Sequence, residues 1–340
     1  MDVLYCFDEG YARVVATSLV SLLEHNFDVR LHLFKVSELE PDTYNKFDKL
    51  FNKYVCEKTF YNVEPQMKIF KEIFKQREVN IGMFARLLAS SILPRDLDEV
   101  LYLDGDTLVR SEINLDDFRS TYDYISGVYD VSLPPMGVKE KLNLGQRDIY
   151  INSGVLYINL LQWRKEKIEE KIIEFLKENP DVTLFDQDVI NYVCANKIHL
   201  VPLKYNMTFL VSELPYKFAK QIFEVSSFYF YSKKDLKEAQ KQPCIIHFAG
   251  EVLGKPWTDI SYIRYTEEWR KIDQRTPWGN EEYLKRKYSN KPIVAIYKKM
   301  CEKVINIFYQ KKNYGMVSFL YRLLYMIPHK LMIKKNRDNI

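Results

Sequence analysis

Glycine is scarce, at 11 of 340 residues, and no G-x-G-x-x-G occurs. A glycine-built nest for a dinucleotide pyrophosphate is therefore missing. The nearest approach to a phosphate loop, Gly250-Glu-Val-Leu-Gly254-Lys255-Pro256, is one residue short. Proline also stands where a magnesium-binding Ser or Thr belongs. A bound nucleotide would need a metal ion or basic side chains to neutralise it. Cysteine is sparse too. Cys6, Cys56, Cys194, Cys244 and Cys301 are scattered and form no C-x-x-C pair. That argues against a disulfide framework and a structural zinc site, and it suits a reducing compartment. No run of 18 uninterrupted apolar residues is present, so a spanning helix is not expected. Met1–Phe7 carries no basic leader, so a secretory signal is not expected either. Internal repeats and low-complexity segments are absent.

What is present is a foldable chain. Charged residues make up 28% and hydrophobic residues 47%, which excludes disorder and suits one large domain with an appendage or two ordinary domains. The net charge of +4 is unevenly spread. From Lys285 to Ile340, 14 Lys/Arg stand against Glu302 and Asp338, so this segment carries +12 and the other 284 residues carry −8. The basic segment is rich in tyrosine and phenylalanine, including Tyr288, Tyr297, Phe308, Phe319 and Tyr325. Aromatics among lysines favour an anionic membrane interface over RNA, and no nucleic-acid partner is expected. The expected division is a catalytic domain over residues 1–280 and a basic amphipathic helical region over 281–340, with helices over Lys291–Gln310 and Gly315–Lys335. A helical cap packed on the body is the alternative for that region.

Apolar runs and helical spacing alternate along the body. Val3–Phe7, Val29–Val36, Glu99–Leu103, Tyr124–Val128, Ile151–Ile158, Ile198–Leu203 and Cys244–Phe248 read as strands. Ala12–His25, Pro41–Phe51, Gln66–Lys75, Ile81–Leu93, Gln162–Glu178 and Gln187–Ala195 read as helices. The alternation predicts an α/β fold with a mostly parallel sheet covered on both faces. Ligands in such sheets sit beyond the carboxyl ends of the strands. Of three D-x-D triplets, Asp96/Asp98 follows Pro94 on a polar connection and reads as a solvated turn. Asp104/Asp106 directly follows the strand Glu99–Leu103, with Gly105 permitting a tight turn. Two carboxylates there repel unless a cation lies between them. Asp186/Asp188 opens a helix, where Asp186 is expected to act as the N-cap.

The segment Leu101-Tyr-Leu-Asp104-Gly-Asp106-Thr-Leu-Val resembles the metal-binding segment of family 8 glycosyltransferases. Five further segments resemble that family in its own order across about residues 1–260. They are Val3-Leu-Tyr-Cys-Phe-Asp8-Glu-Gly-Tyr11-Ala, Phe84-Ala-Arg86-Leu, Tyr150-Ile-Asn152-Ser-Gly154-Val-Leu, Phe185-Asp186-Gln187-Asp188, and His247-Phe-Ala-Gly250 with Lys255-Pro-Trp257. The closing segment departs from the family pattern by two extra residues between Gly250 and Lys255. The resemblance implies a GT-A fold and a retaining transferase that uses UDP-glucose or UDP-galactose. It also implies a saccharide or glycolipid acceptor, and Gly250 joins the substrate-binding set.

The residues suit that chemistry. Asp104 and Asp106 offer hard oxygens and His247 a nitrogen, a set that fits Mn²⁺ or Mg²⁺ against a diphosphate. Lys255 can meet charge developing on the leaving group. Asp8 can accept from uracil N3–H, and Tyr11 can stack on the base. Arg86 opens a helix at the end its charge disfavours, which a partner such as Asp104 or a phosphate would explain. The resemblance assigns Asp130, Asn152, Gln187 and Asp188 to the donor sugar. An amide at Gln187 is a poor nucleophile, so front-side attack is expected, with Gln187 and Asp188 stabilising the oxocarbenium-like centre. Asp188 as a covalent nucleophile is the minority route. A non-catalytic nucleotide-sugar-binding protein and a nucleotidyltransferase of related fold are the alternatives. The expected location is cytoplasmic, peripheral on the inner face of the plasma membrane.

Overall fold

The computed structural model describes residues 1–77, 79–131, 137–145, 147–208, 211–212, 214–218, 230–250 and 254–285, together with 299–300, 303–308, 311–312, 316 and 320. A seven-stranded sheet forms the centre. Its strands are β1 (Asp2–Phe7), β2 (Arg30–Lys35), β3 (Glu57–Asn62), β4 (Glu99–Leu103), β6 (Ile125–Tyr129), β7 (Ile151–Asn159) and β8 (Ile198–Leu200), in the order β3-β2-β1-β4-β7-β6-β8. β3, β2, β1 and β4 run parallel, β7 is antiparallel to both β4 and β6, and β6 runs parallel to β8. A smaller sheet joins β5 (Thr107–Val109), β10 (Ile245–His247) and β9 (Met207–Thr208) in the order β5-β10-β9.

The strand period divides the core into two. In β1, Val3, Tyr5 and Phe7 enter one apolar cluster while Leu4 enters the other. In β4, Leu101 and Leu103 face the first cluster and Val100 and Tyr102 the second. The first cluster includes α1 (Ala12–Leu23), α2 (Pro41–Lys53), the small sheet and Trp269. The second takes in α3 (Lys68–Ile73), α4 (Ala89–Ile92), α6 (Leu160–Lys165), α7 (Ile168–Glu178) and α8 (Phe185–Val193). Between α4 and α6 the short α5 (Val138–Lys141) contributes Val138 to the first cluster. Each fully buried Leu, Val or Phe in these layers contributes about 1.5–3 kcal/mol.

Several elements differ from expectation. Ile81–Leu88 is a 3-10 helix that passes into α4, so Arg86 sits in a last turn rather than opening a helix. The stretch expected as one helix over 162–178 is broken at Lys167, whose left-handed φ of 52° separates α6 from α7. β8 stops at Leu200, two residues before Pro202 starts a 3-10 turn. Leu184, not Asp186, holds the N-cap position of α8. β3 has no counterpart in the sequence reading.

The boundary at residue 280 falls inside a tied segment. Arg13 donates to Asp273 and to the carbonyls of Glu281 and Glu282, and its guanidinium lies over the Tyr283 ring. Leu284 N donates to Trp257 O. Farther on, residues 303–308 are helical, Ile305 is buried, and Phe308 and Leu320 pack against the first cluster. Lys299, Met300 and Met316 are also helical, and the remainder of the expected helices over 291–310 and 315–335 lies outside the described residues. Among the described residues, no helix is long and apolar enough to cross a membrane.

Candidate functional site

The sheet's parallel and antiparallel strands deliver their ends to one edge. β1 and β4 finish there, placing Asp8 and Asp104 just beyond Phe7 and Leu103. β7 begins there because it runs the other way, with Val155 opposite Leu103, so Asn152, Ser153 and Gly154 arrive at the same edge. β6 ends at Tyr129 and brings Asp130. The small sheet then sets His247 beside Thr107 and Thr208. A cavity of about 390 Å³ opens here, lined by Asp8, Tyr11, Arg86, Asp104, Gly105, Asp106, Asn152, Gln187 and His247. Cys6, Asn80, Met83, Tyr102 and Ser153 also line it, none of them expected from sequence.

Asp104, Asp106 and His247 form the one group of metal-ligating side chains found among the described residues. Each carboxylate is held by one oxygen and turns the other toward the imidazole. Asp104 Oδ1 accepts from Tyr102 OH at 2.5 Å and pairs with Arg86 at 2.9 Å, while its Oδ2 lies 3.6 Å from His247 Nε2. Asp106 Oδ2 accepts from Lys255 at 2.9 Å, and its Oδ1 lies 3.3 Å from the same Nε2. Two hard oxygens and one nitrogen facing a common point fit a divalent cation such as Mn²⁺ or Mg²⁺. Burial alone would raise the Asp106 pKa, but Lys255 and His247 more than reverse it and hold the carboxyl well below the usual range. Burial opposes charge on His247, yet Asp106 overrides it and moves the imidazole upward.

Two glycines make this geometry accessible. A Cβ on Gly154 would lie 2.2 Å from His247 Cε1 and 2.6 Å from Nδ1, so the ring occupies the space a side chain would need. A Cβ on Gly105 would lie 2.5 Å from Val15 Cγ2. Gly105 therefore lets the Asp104–Asp106 turn lie against α1.

Arg86 is buried and fully engaged. It donates to Met83 O at 3.0 Å and Ser153 O at 2.7 Å, and its guanidinium lies 4.2 Å from the Tyr102 ring centroid. Asp186, absent from the expected site residues, approaches it at 3.4 Å. The buried Asp186 Oδ2 has no hydrogen-bond partner, and burial pushes its carboxyl up to about 6 against the opposing pull of Arg86.

Gln187 spans the far wall. Its Oε1 accepts from Ser153 N at 3.0 Å, and its Nε2 donates to Asp130 Oδ2 at 3.1 Å. Asp130 and Asp188 stand behind this wall. Asp188 accepts from Tyr150 OH at 2.6 Å and from the amides of Thr183 and Leu184 at 2.7 and 2.8 Å. Asp188 thus anchors the entry to α8, reaching back about one helical turn to two amides that precede the helix. Asp8 Oδ1 accepts from Tyr11 N at 3.0 Å, and Tyr11 lies edge-on to Trp257 with ring centroids 5.8 Å apart. Gly250 adopts a φ of 81° where the chain leaves β10, and residues 251–253 lie outside the described set. Beyond them, Lys255 reaches Asp106 and the carbonyl of Phe248 despite the two-residue insertion.

A family model described as Glycosyl transferase family 8 matches residues 2–261. The lipopolysaccharide 1,2-glucosyltransferase of Escherichia coli is 26% identical over 323 residues, covering 92% of this chain and 86% of that protein. General stress protein A of Bacillus subtilis strain 168 is 25% identical over 291 residues, covering 82% of this chain and 95% of that protein. Among solved structures, the apo WbbM bifunctional glycosyltransferase superposes with a TM-score of 0.67 at 20% identity, covering 83% of this chain, which spans 50% of that one. The galactosyltransferase LgtC, solved with donor and acceptor sugar analogs, gives 0.61 at 19% identity, covering 82% of this chain and 96% of that one. These structures share the architecture described above, the GT-A fold.

Proposed function

The chain belongs to glycosyl transferase family 8, and from that premise we propose that it is a metal-dependent, retaining hexosyltransferase. It moves glucose or galactose from a UDP-sugar to a glycan or lipid-linked saccharide. The observation that carries this reading is the convergence of Asp104 Oδ2, Asp106 Oδ1 and His247 Nε2 on one point beside the cavity. The relatives named for glucosyl transfer to lipopolysaccharide support the choice of sugar and acceptor class. When bound, Mn²⁺ or Mg²⁺ supplies Lewis-acid neutralisation of the diphosphate.

The chain's own groups do the rest. Asp8 accepts from uracil N3–H, with Tyr11 beside the base. Lys255, already paired with Asp106, is placed to meet charge on the departing phosphate. In the transfer step the bond from the sugar C1 to the phosphate oxygen breaks. The bond from C1 to the acceptor oxygen forms on the same face, and the acceptor proton passes to the departing phosphate oxygen. Gln187 presents a dipole fixed at both ends to the oxocarbenium-like centre. Asp188 would have to surrender three hydrogen bonds to act as a nucleophile, which supports front-side attack with Asp188 as the support of Gln187.

Incubation with a panel of UDP-sugars and Mn²⁺, scored for UDP release and for the product's anomeric proton, tests the reading. Release from UDP-glucose or UDP-galactose with an α-linked product is expected, and a β-linked product would overturn it.

The region after Lys285 would place the enzyme on an anionic membrane, peripheral to the inner face of the plasma membrane. Each of its basic residues near the surface contributes about 1 kcal/mol, less in salt. Full-length protein should sediment with anionic vesicles, and a chain ending at Lys285 should not. Equal sedimentation of the two would remove the membrane role.

A further inference from the structure

Asn206 joins β9 to the 3-10 turn Leu203–Tyr205 and is buried. It matches none of the motifs in the sequence. Its side chain bridges the two halves of the site. Nδ2 donates to Asn152 Oδ1 at 2.8 Å, and Oδ1 lies 2.9 Å from His247 Nδ1.

Which atom of each amide points where is decided by the backbone. Gly154 N–H donates to one atom of the Asn152 amide at 2.9 Å, so that atom must be the carbonyl oxygen. The other end of Asn152 then faces Asp130 Oδ2 at 3.3 Å, where a carboxylate needs a donor, and the assignment agrees. An oxygen on Asn152 requires an NH₂ from Asn206. That leaves the Asn206 oxygen toward His247, and an oxygen there can bond Nδ1 only if Nδ1 carries a proton. With the proton on Nε2 alone, two acceptors would face each other at 2.9 Å. Turning the ring over would replace Nδ1 by carbon and lose the bond.

We propose that Asn206 is a positioning residue for His247. Two side-chain amides relay the polarity of the Gly154 N–H to the imidazole and hold a proton on Nδ1, so that Nε2, facing Asp104 and Asp106, is the nitrogen that gives up its proton when a cation binds. The inference rests on the proposed metal set. It adds to that set a support that ties the metal side of the site to the Asn152–Asp130–Gln187 wall. Partners of this kind typically change metal affinity 10–100-fold when removed.

The experiment is a direct Mn²⁺ titration of the full chain, following free Mn²⁺ by electron paramagnetic resonance, with UDP affinity measured separately without metal. Asn206→Leu should weaken Mn²⁺ binding about 10–100-fold while metal-free UDP binding stays unchanged. Asn206→Asp, which keeps an acceptor opposite Nδ1 but loses the donor to Asn152, should recover part of that loss. His247→Gln is the reference for the metal set itself. If His247→Gln weakens Mn²⁺ binding and Asn206→Leu does not, the positioning role is overturned and the metal set stands. If neither variant changes Mn²⁺ binding, the metal set falls and the proposal with it. Should Asn206→Leu fail to fold, ¹⁵N-histidine spectra of the wild-type protein loaded with Mg²⁺ and UDP decide. A protonated Nδ1 and a bare Nε2 on His247 are expected, and a bare Nδ1 would overturn the proposal.

Discussion

Asp104-Gly-Asp106 and Asp186-Gln-Asp188 have the same spacing and lie against the same arginine, yet their surroundings set them opposite tasks. Lys255 and His247 hold Asp106 ionised, and each acid of the first pair keeps one oxygen turned toward the imidazole. In the second pair, Asp188 spends its carboxylate on Tyr150 and two backbone amides. Asp186 is buried, its Oδ2 makes no hydrogen bond and lies 3.4 Å from Arg86, and burial pushes its carboxyl up to about 6. A D-x-D triplet therefore says little by itself. The cations and amides around it decide whether it is charged and able to hold a metal, or a helix support with a carboxyl that resists ionisation.

Gly154→Ala should break the first pair most severely. Its Cβ would lie 2.2 Å from the His247 ring, which cannot stay in place. Transfer should fall by about 100-fold or more, since ångström displacements of a reacting constellation cost that much. Mn²⁺ affinity measured alongside should fall too, and unchanged affinity would mean that the ring position does not matter.

Asp186→Asn sharpens the second pair. The folded pKa of about 6 lies above the unfolded value of 3.8. The folded protein thus holds this proton longer, and the group's contribution to stability falls as pH rises from about 4 to about 6. Asparagine cannot ionise. Relative to wild type, the metal-free variant should gain about 1–3 kcal/mol between pH 4 and pH 7.5 in denaturant titrations. A constant difference across that range would refute the shifted titration.

Asp8 is an acid of a third kind, assigned to a hydrogen bond rather than to charge. Asp8→Ala should weaken UDP binding by about 1–3 kcal/mol in calorimetry, leaving GDP and ADP little changed. Equal loss for all three nucleotides would remove its selective role. The remaining triplet is the control. Asp96 and Asp98 are exposed, and replacing both by asparagine should change stability by less than about 0.5 kcal/mol and leave transfer intact.

The parts of the site that were legible in sequence are those whose signal is local. Asp104 and Asp106 stand at the end of a five-residue apolar strand, and Asp8 ends another. Strand period and the carboxyl-end rule together sufficed for these. Element types were legible for the same reason, but direction was not. A period of two is identical in parallel and antiparallel strands, so the reversal of β7 that brings Asn152 to the site has no local sign. β3 carries no sequence signal because it is an exposed edge strand, Glu57-Lys-Thr-Phe-Tyr-Asn62, with no buried residue to create alternation. The small sheet is built from pieces two or three residues long drawn from three distant parts of the chain. Asn206 and the need for Gly154 therefore appear only once His247 is placed. The spacing around Asp186 suits a cap, whereas the chain enters α8 two residues earlier, with Leu184 at the N-cap.

The central claim is that Asp104, Asp106 and His247 hold a catalytic divalent cation. The direct test is UDP release from UDP-glucose and UDP-galactose by enzyme stripped with EDTA and then titrated with Mn²⁺, for wild type and Asp106→Asn side by side. Wild type should lose activity on stripping and regain it with Mn²⁺. The variant, folded by circular dichroism, should remain nearly inactive at every Mn²⁺ concentration. Full activity of the wild type in excess EDTA would contradict the claim.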